Sequence, residues 1–132
     1  MTQFHFVTQL GPYGGQMVEV KGKPKYFNSF DKTHHWEFTN ETEEWKKAMG
    51  WQIKLQRPRI AVTPPIIIYV HHFYAKAKAD AGAVFIATKA CEDALTEMGV
   101  IPDDNLLFVE GLYFVKPQKH PYDALALELV EL

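Results

Sequence analysis

The segment from Ile60 to Ala75 constrains the fold more than any other part of the chain. It is dense in β-branched and aromatic residues, and Ile66, Ile68 and Val70 alternate with Ile67 and Tyr69. Successive side chains of a strand point to opposite faces, so an apolar set on each face means that both faces are covered. The segment reads as a long central strand, with Pro64-Pro65 limiting pairing at its start. His71 and His72 then fall on opposite faces, which excludes joint chelation of one metal and favours packed or hydrogen-bonded roles.

Ala83 to Met98 reads as a helix. Val84, Ala87, Cys91, Ala94, Leu95 and Met98 recur at helical spacing, and Gly99 is a C-terminal stop. Upstream, Asn40 is the expected cap of another helix, with Glu41, Glu43 and Glu44 in its first turn. Trp45, Ala48, Met49 and Ile53 form its apolar side, and Arg57-Pro58 ends it. Strands are expected over Gln3 to Leu10, Met17 to Val20, Leu106 to Val115 and Ala124 to Leu132. In the last of these Leu125, Leu127 and Leu129 share a face. Lys21-Gly-Lys-Pro-Lys25 reads as a basic turn or loop, and Pro117-Gln-Lys-His-Pro121 as a connection. The order β(β)-α-β-α-β-β predicts an α/β (α+β) domain, a small mixed sheet with two α-helices packed on it. At 132 residues, 1–132 makes a single domain with one core.

Fourteen basic side chains against sixteen acidic ones exclude a uniformly basic, nucleic-acid-coating surface but allow a local basic patch. Cys91 is the one cysteine, so no intrachain disulfide forms, and its helical neighbours make it a small core hydrophobe. The start, Met1-Thr-Gln-Phe-His, has no basic segment and apolar run of a signal peptide. The run Ile66-Ile-Ile-Tyr-Val70 is too short to span a bilayer, and a reducing cytoplasm with no membrane partner is expected. The chain has no Gly-rich phosphate loop, zinc-ligand cysteine set or serine or cysteine triad pattern.

The chemistry-bearing stretch is Lys76-Ala-Lys78-Ala-Asp80, then the helix with Lys89, then Gly99-Val-Ile-Pro-Asp103-Asp104. It sets one acid at a strand end, a lysine within a helix and two acids in the loop beyond. Such a helix is expected to gather these residues at one end of the sheet. Acids gathered there suit a hard cation such as Mg²⁺, which takes oxygen ligands and leaves positions for phosphate. Lys76 and Lys78, two apart at the strand end, are expected to project to one face and contact phosphates. Glu92-Asp93 is a further acidic pair, though Glu92 stands three residues from Lys89 and reads as its surface ion-pair partner.

The run from Lys76 to Val109 resembles the RusA family of Holliday junction resolvases, particularly its phage and prophage members. The resemblance rests on Asp80-Ala-Gly-Ala, Thr88-Lys89-Ala, Asp93-Ala-Leu-Thr and Gly99-Val-Ile-Pro-Asp-Asp104. Lys89 stands six positions after Ala83 and fifteen before Asp104, which fits the family spacing. Asn28, His34-His35-Trp36 and Trp45-Lys46 are a looser match to the family's Asn…Trp…Trp-Arg region. Two positions depart from the family's Asp-x-Asp-Asn motif: Gly82 stands at its second Asp and Ala83 at its Asn.

The resemblance implies a Mg²⁺-dependent homodimer, Mn²⁺ being the alternative ion, that cuts branched DNA at a four-way junction in a bacterial host. It implies Asp80 and Asp104 as metal ligands with Asp103 assisting, and Lys89 stabilising charge on the reacting phosphate. Lys76 and Lys78 would seat the DNA backbone. The thinned acidic motif implies an alternative, a relative that binds branched DNA or a protein partner without cutting.

Overall fold

The structure, a computed structural model, describes residues 10–25, 35–56, 62–103 and 105–132, with side chains of the second segment from residue 40 onward. The elements are β1 (Gln16–Lys21), α1 (His35–Gln56), β2 (Ile66–Tyr74), α2 (Ala81–Glu97), β3 (Val109–Phe114), β4 (Gln118–Lys119) and β5 (Ala124–Glu131). The sheet order is β1-β5-β2-β3, with β4 also paired to β2. β5 is antiparallel to both β1 and β2, while β3 and β4 run parallel to β2. The mixed sheet with two helices is the α+β architecture expected from the residue pattern.

β2 is central, and its alternation sets the layers. Ile66, Ile68, Val70 and His72 are buried toward the helices, and the register places Ile68 opposite Leu129, Val70 opposite Leu127 and His72 opposite Leu125. The same row continues into β1, where Val18 faces Leu127 and Val20 faces Leu125. Trp45, Met49 and Ile53 of α1, and Val84, Cys91 and Leu95 of α2, close over this row as one core. Each fully buried leucine, isoleucine or valine there contributes roughly 1.5–3 kcal/mol. Small residues on α2, among them Ala87, Ala90 and Ala94, bring its backbone close to its neighbours. Gly99 ends α2 with φ of 75°, a left-handed conformation that costs glycine no Cβ clash.

The other sheet face centres on a buried carboxylate. Glu128 is wholly buried, with Oε1 2.8 Å from His71 Nε2, while its Oε2 accepts the backbone N–H groups of Tyr13 (2.8 Å) and Gly15 (2.9 Å). The 11–15 turn thereby lies across the strand, and the Tyr13 ring stacks on Tyr69 with centroids 4.0 Å apart. A Cβ on Gly11 would overlap the Glu128 carboxylate, and one on Gly15 would overlap the Leu129 backbone.

Several boundaries differ from the expected ones. α1 passes through Asn40, because an internal Asn costs well under ~1 kcal/mol, less than the apolar stripe of α1 contributes by burial. β2 ends at Tyr74, so Lys76 and Lys78 lie in the loop after it rather than on the strand. β3 starts at Val109 because Asn105 organises a turn, accepting Leu107 N–H on its side chain and Phe108 and Val109 N–H on its carbonyl. Two residues of the expected 117–121 connection form β4. Most of the strand expected at Gln3 to Leu10, the positions Asn28, His34, Arg57-Pro58 and Ile60, and Asp104 lie outside the described residues.

Candidate functional site

The loop between β2 and α2 carries most of the expected site. Lys76, Lys78 and Asp80 are all exposed, and Lys78 Nζ stands 5.8 Å from the Tyr74 ring centroid, a cation–π distance. Asp80 occupies the N-cap position of α2 in extended backbone conformation, yet its side chain makes no capping hydrogen bond. The first-turn amides of α2 therefore receive no cap from it, at the helix end that carries partial positive charge.

His72 anchors this loop from within. Its Nε2 accepts the Ala79 N–H at 3.0 Å, which requires a neutral ring protonated on Nδ1. That Nδ1 is buried near the Ala124 backbone. Burial lowers the His72 pKa, against the raising pull of the Ala124 backbone and Asp123 and with a small lowering from Lys23. His71 and His72 serve opposite faces, as their adjacency on a strand requires.

Asp80 and Asp103 do not meet. Asp80 follows the C-terminal end of β2, whereas Asp103 belongs to the loop that reaches its start, where Ile66 N–H donates to the Phe108 carbonyl at 2.9 Å. Between them runs α2, whose 17 residues span about 25 Å at 1.5 Å per residue. For Asp80 and Asp103, the expectation that α2 brings its flanking acids to one end of the sheet is thus corrected. A helix between two parallel strands carries the chain back along the sheet and separates its own ends by its full length. Asp103 is exposed and accepts from Asn105 Nδ2 at 3.2 Å. Ligand bonds to Mg²⁺ are about 2.0–2.1 Å, so Asp80 and Asp103 of one chain cannot share an ion. Among the described residues no three His, Cys, Asp or Glu side chains could hold a metal. Of the residues expected to hold the cation, Asp80 and Asp103 do not come together within one chain, and Asp104 lies outside the described residues.

Lys89 stands nine residues beyond Asp80, about 14 Å along the helix axis. Its Nζ lies 3.1 Å from Glu92 Oε1 and 3.9 Å from Asp93 Oδ1. The Glu92 pair is present as expected, but Glu92 is 6% exposed and so is not a surface group. Cys91 is fully buried, and burial pushes its thiol up to about 12, which leaves no thiolate for chemistry at neutral pH.

The residue pattern did not reveal a cavity of about 500 Å³ beside Asp80. Val70 and His72 line it together with Lys78, Phe85, Phe114 and Lys116. It opens where Pro117, with no N–H to donate, falls between the β3 and β4 pairings along the edge of β2. The available signal was Phe85, a large apolar residue at an outward position just after the small Ala81-Gly82-Ala83 start of α2. A second cavity of about 630 Å³ lies between the 21–25 loop and α1, where Lys21, Lys23 and Lys25 meet Glu41 and Glu44. Lys25 N–H donates to Glu41 Oε1 at 2.8 Å, which ties that basic loop to the helix.

No helix among the described residues is long and apolar enough to cross a membrane. No protein-family model matches the chain, and no curated protein matches it.

Proposed function

We propose that this chain is a RusA-like, structure-selective endodeoxyribonuclease acting on four-way and other branched DNA in the cytoplasm of a bacterial host, encoded by a phage or prophage. The observation that carries the reading is the exposed Lys76–Asp80 loop, which sets two lysines and an uncapped helix terminus beside an exposed acid. Phosphate contacts dominate affinity for DNA, and such a loop supplies them locally in a chain of nearly balanced charge.

The separation of Asp80 from Asp103 makes the reading depend on a homodimer. Acids at both ends of α2 serve one Mg²⁺ or Mn²⁺ only if the two ends come from different protomers. A two-fold axis supplies that arrangement twice, as symmetric cutting of a junction requires.

Gly82 and Ala83, together with the scattered acids, favour a second reading in which the protein binds branched DNA or a protein partner without cleaving it. The test is cleavage and binding of a labelled four-way junction with Mg²⁺ or Mn²⁺, against a linear duplex. Paired symmetric nicks lost in Asp104→Asn support the nuclease. Tight junction binding without nicks supports the second reading, and neither binding nor cleavage refutes both.

A further inference from the structure

A cavity of small-ligand size lies beside the β2–α2 loop. Its volume of about 500 Å³ falls within the range of roughly 300–1,000 Å³ typical of small-ligand pockets. It lies beyond the carboxyl end of the parallel β2–β3 pair and at the start of α2, where α/β sheets bind ligands and helix amides meet phosphate.

Its walls are aromatic and unfilled. Phe85 and Phe114 are 56% and 47% exposed, with rings 28° from parallel and centroids 6.1 Å apart. The two rings pack on each other as an aromatic pair and leave part of their surface to solvent, a platform that suits a flat heterocycle better than an aliphatic chain. Lys78 and Lys116 line it; its lining residues include no carboxylate, and the exposed Asp80 stands beside it at the start of α2. The floor holds His72, 4% exposed.

We infer that this pocket binds one nucleotide unit, its base against Phe85 and Phe114 and its phosphate near Lys78, Lys116 and the first amides of α2. The unit is either a free mononucleotide or a single unpaired nucleotide within a DNA strand. The two share their chemistry and differ in source. The inference does not depend on junction cleavage.

The experiment is an NMR titration of the full chain with 5′-dAMP or 5′-dTMP, with the matching nucleosides, with inorganic phosphate, and with a duplex carrying one unpaired nucleotide. Saturable shifts are expected at residues 78–85 and 114–117. Phe85→Ala and Phe114→Ala should weaken binding at least about fivefold, the lower end of what one base stacked on an aromatic ring contributes. Lys78→Ala with Lys116→Ala should weaken it and flatten its salt dependence. Both phenylalanines are exposed, so unchanged thermal melts will show that these variants remain folded. Saturation by the mononucleotides assigns a free ligand, and saturation by the duplex alone assigns a strand. The inference is overturned if phosphate binds as tightly as the nucleotide, if the phenylalanine variants bind unchanged, or if no probe moves these residues. Mononucleotide binding by a protein that never cuts DNA upholds the pocket, whereas cutting without such shifts overturns the pocket alone.

Discussion

Glu128 and His71 meet at 2.8 Å on the sheet face opposite the helices, with both side chains withdrawn from solvent. The second carboxylate oxygen of Glu128 holds two amides of the 11–15 turn, so one side chain ties β5, β2 and the approach to β1 together. Removing it strands two buried polar groups, His71 Nε2 and Gly15 N–H, at roughly 1–3 kcal/mol each, and the part-buried Tyr13 N–H besides. Glu128→Ala should therefore lower unfolding free energy by about 2 kcal/mol or more, measured by urea denaturation. A loss within about 0.5 kcal/mol, the range of neutral surface changes, contradicts this role.

The turn over Glu128 should resist enlargement. Gly15→Ala sets a Cβ against the Leu129 backbone, which cannot rotate away. We expect destabilisation of about 1–3 kcal/mol, as for other overpacked sites. Gly14→Ala tests a different cause, because its φ of 80° disfavours a side chain although nothing lies within 4 Å. Equal melting of both variants and wild type would sink both assignments.

His72 should make stability depend on pH. Its folded pKa lies below the ordinary value of about 6.5, so the unfolded chain takes up the proton first on acidification. The contribution is fully present above about pH 6.5 and is lost as pH falls through the lower folded pKa. Protonation also removes the acceptor for Ala79 N–H. Thermal melts from pH 7.5 to 5 should show a smaller acid loss in His72→Gln than in wild type. Parallel curves would contradict the assignment.

Cys91 should be chemically silent. With its thiol pushed up to about 12 and no exposed surface, native protein should react with a thiol reagent far more slowly than unfolded protein. Rapid labelling under native conditions would show that α2 opens readily.

Much of this architecture is legible in the residue pattern. The alternation in Ile66–Val70 marks the central strand, the Trp45, Met49, Ile53 stripe marks α1, and Gly99 marks the end of α2. These signals are local, because burial repeats at the period of the element itself. The relation between Asp80 and Asp103 is not local. It depends on the direction in which α2 returns along the sheet, which spacing between motifs does not encode. The phenylalanine-walled cavity was hidden for a similar reason: Phe85 and Phe114 are distant in sequence, and the break at Pro117 that opens it is a matter of pairing.

The most direct test of the account mixes two inactive variants. Asp80→Asn, and the double variant Asp103→Asn with Asp104→Asn, should each fail to nick a four-way junction that wild type cuts. If each metal site takes Asp80 from one protomer and the 103–104 loop from the other, a mixed dimer keeps one intact site of two. Random exchange makes half the dimers mixed, so the mixture should recover about a quarter of wild-type sites, as unpaired nicks. A mixture that stays silent while wild type cuts, or a wild type that cuts no junction, would contradict it.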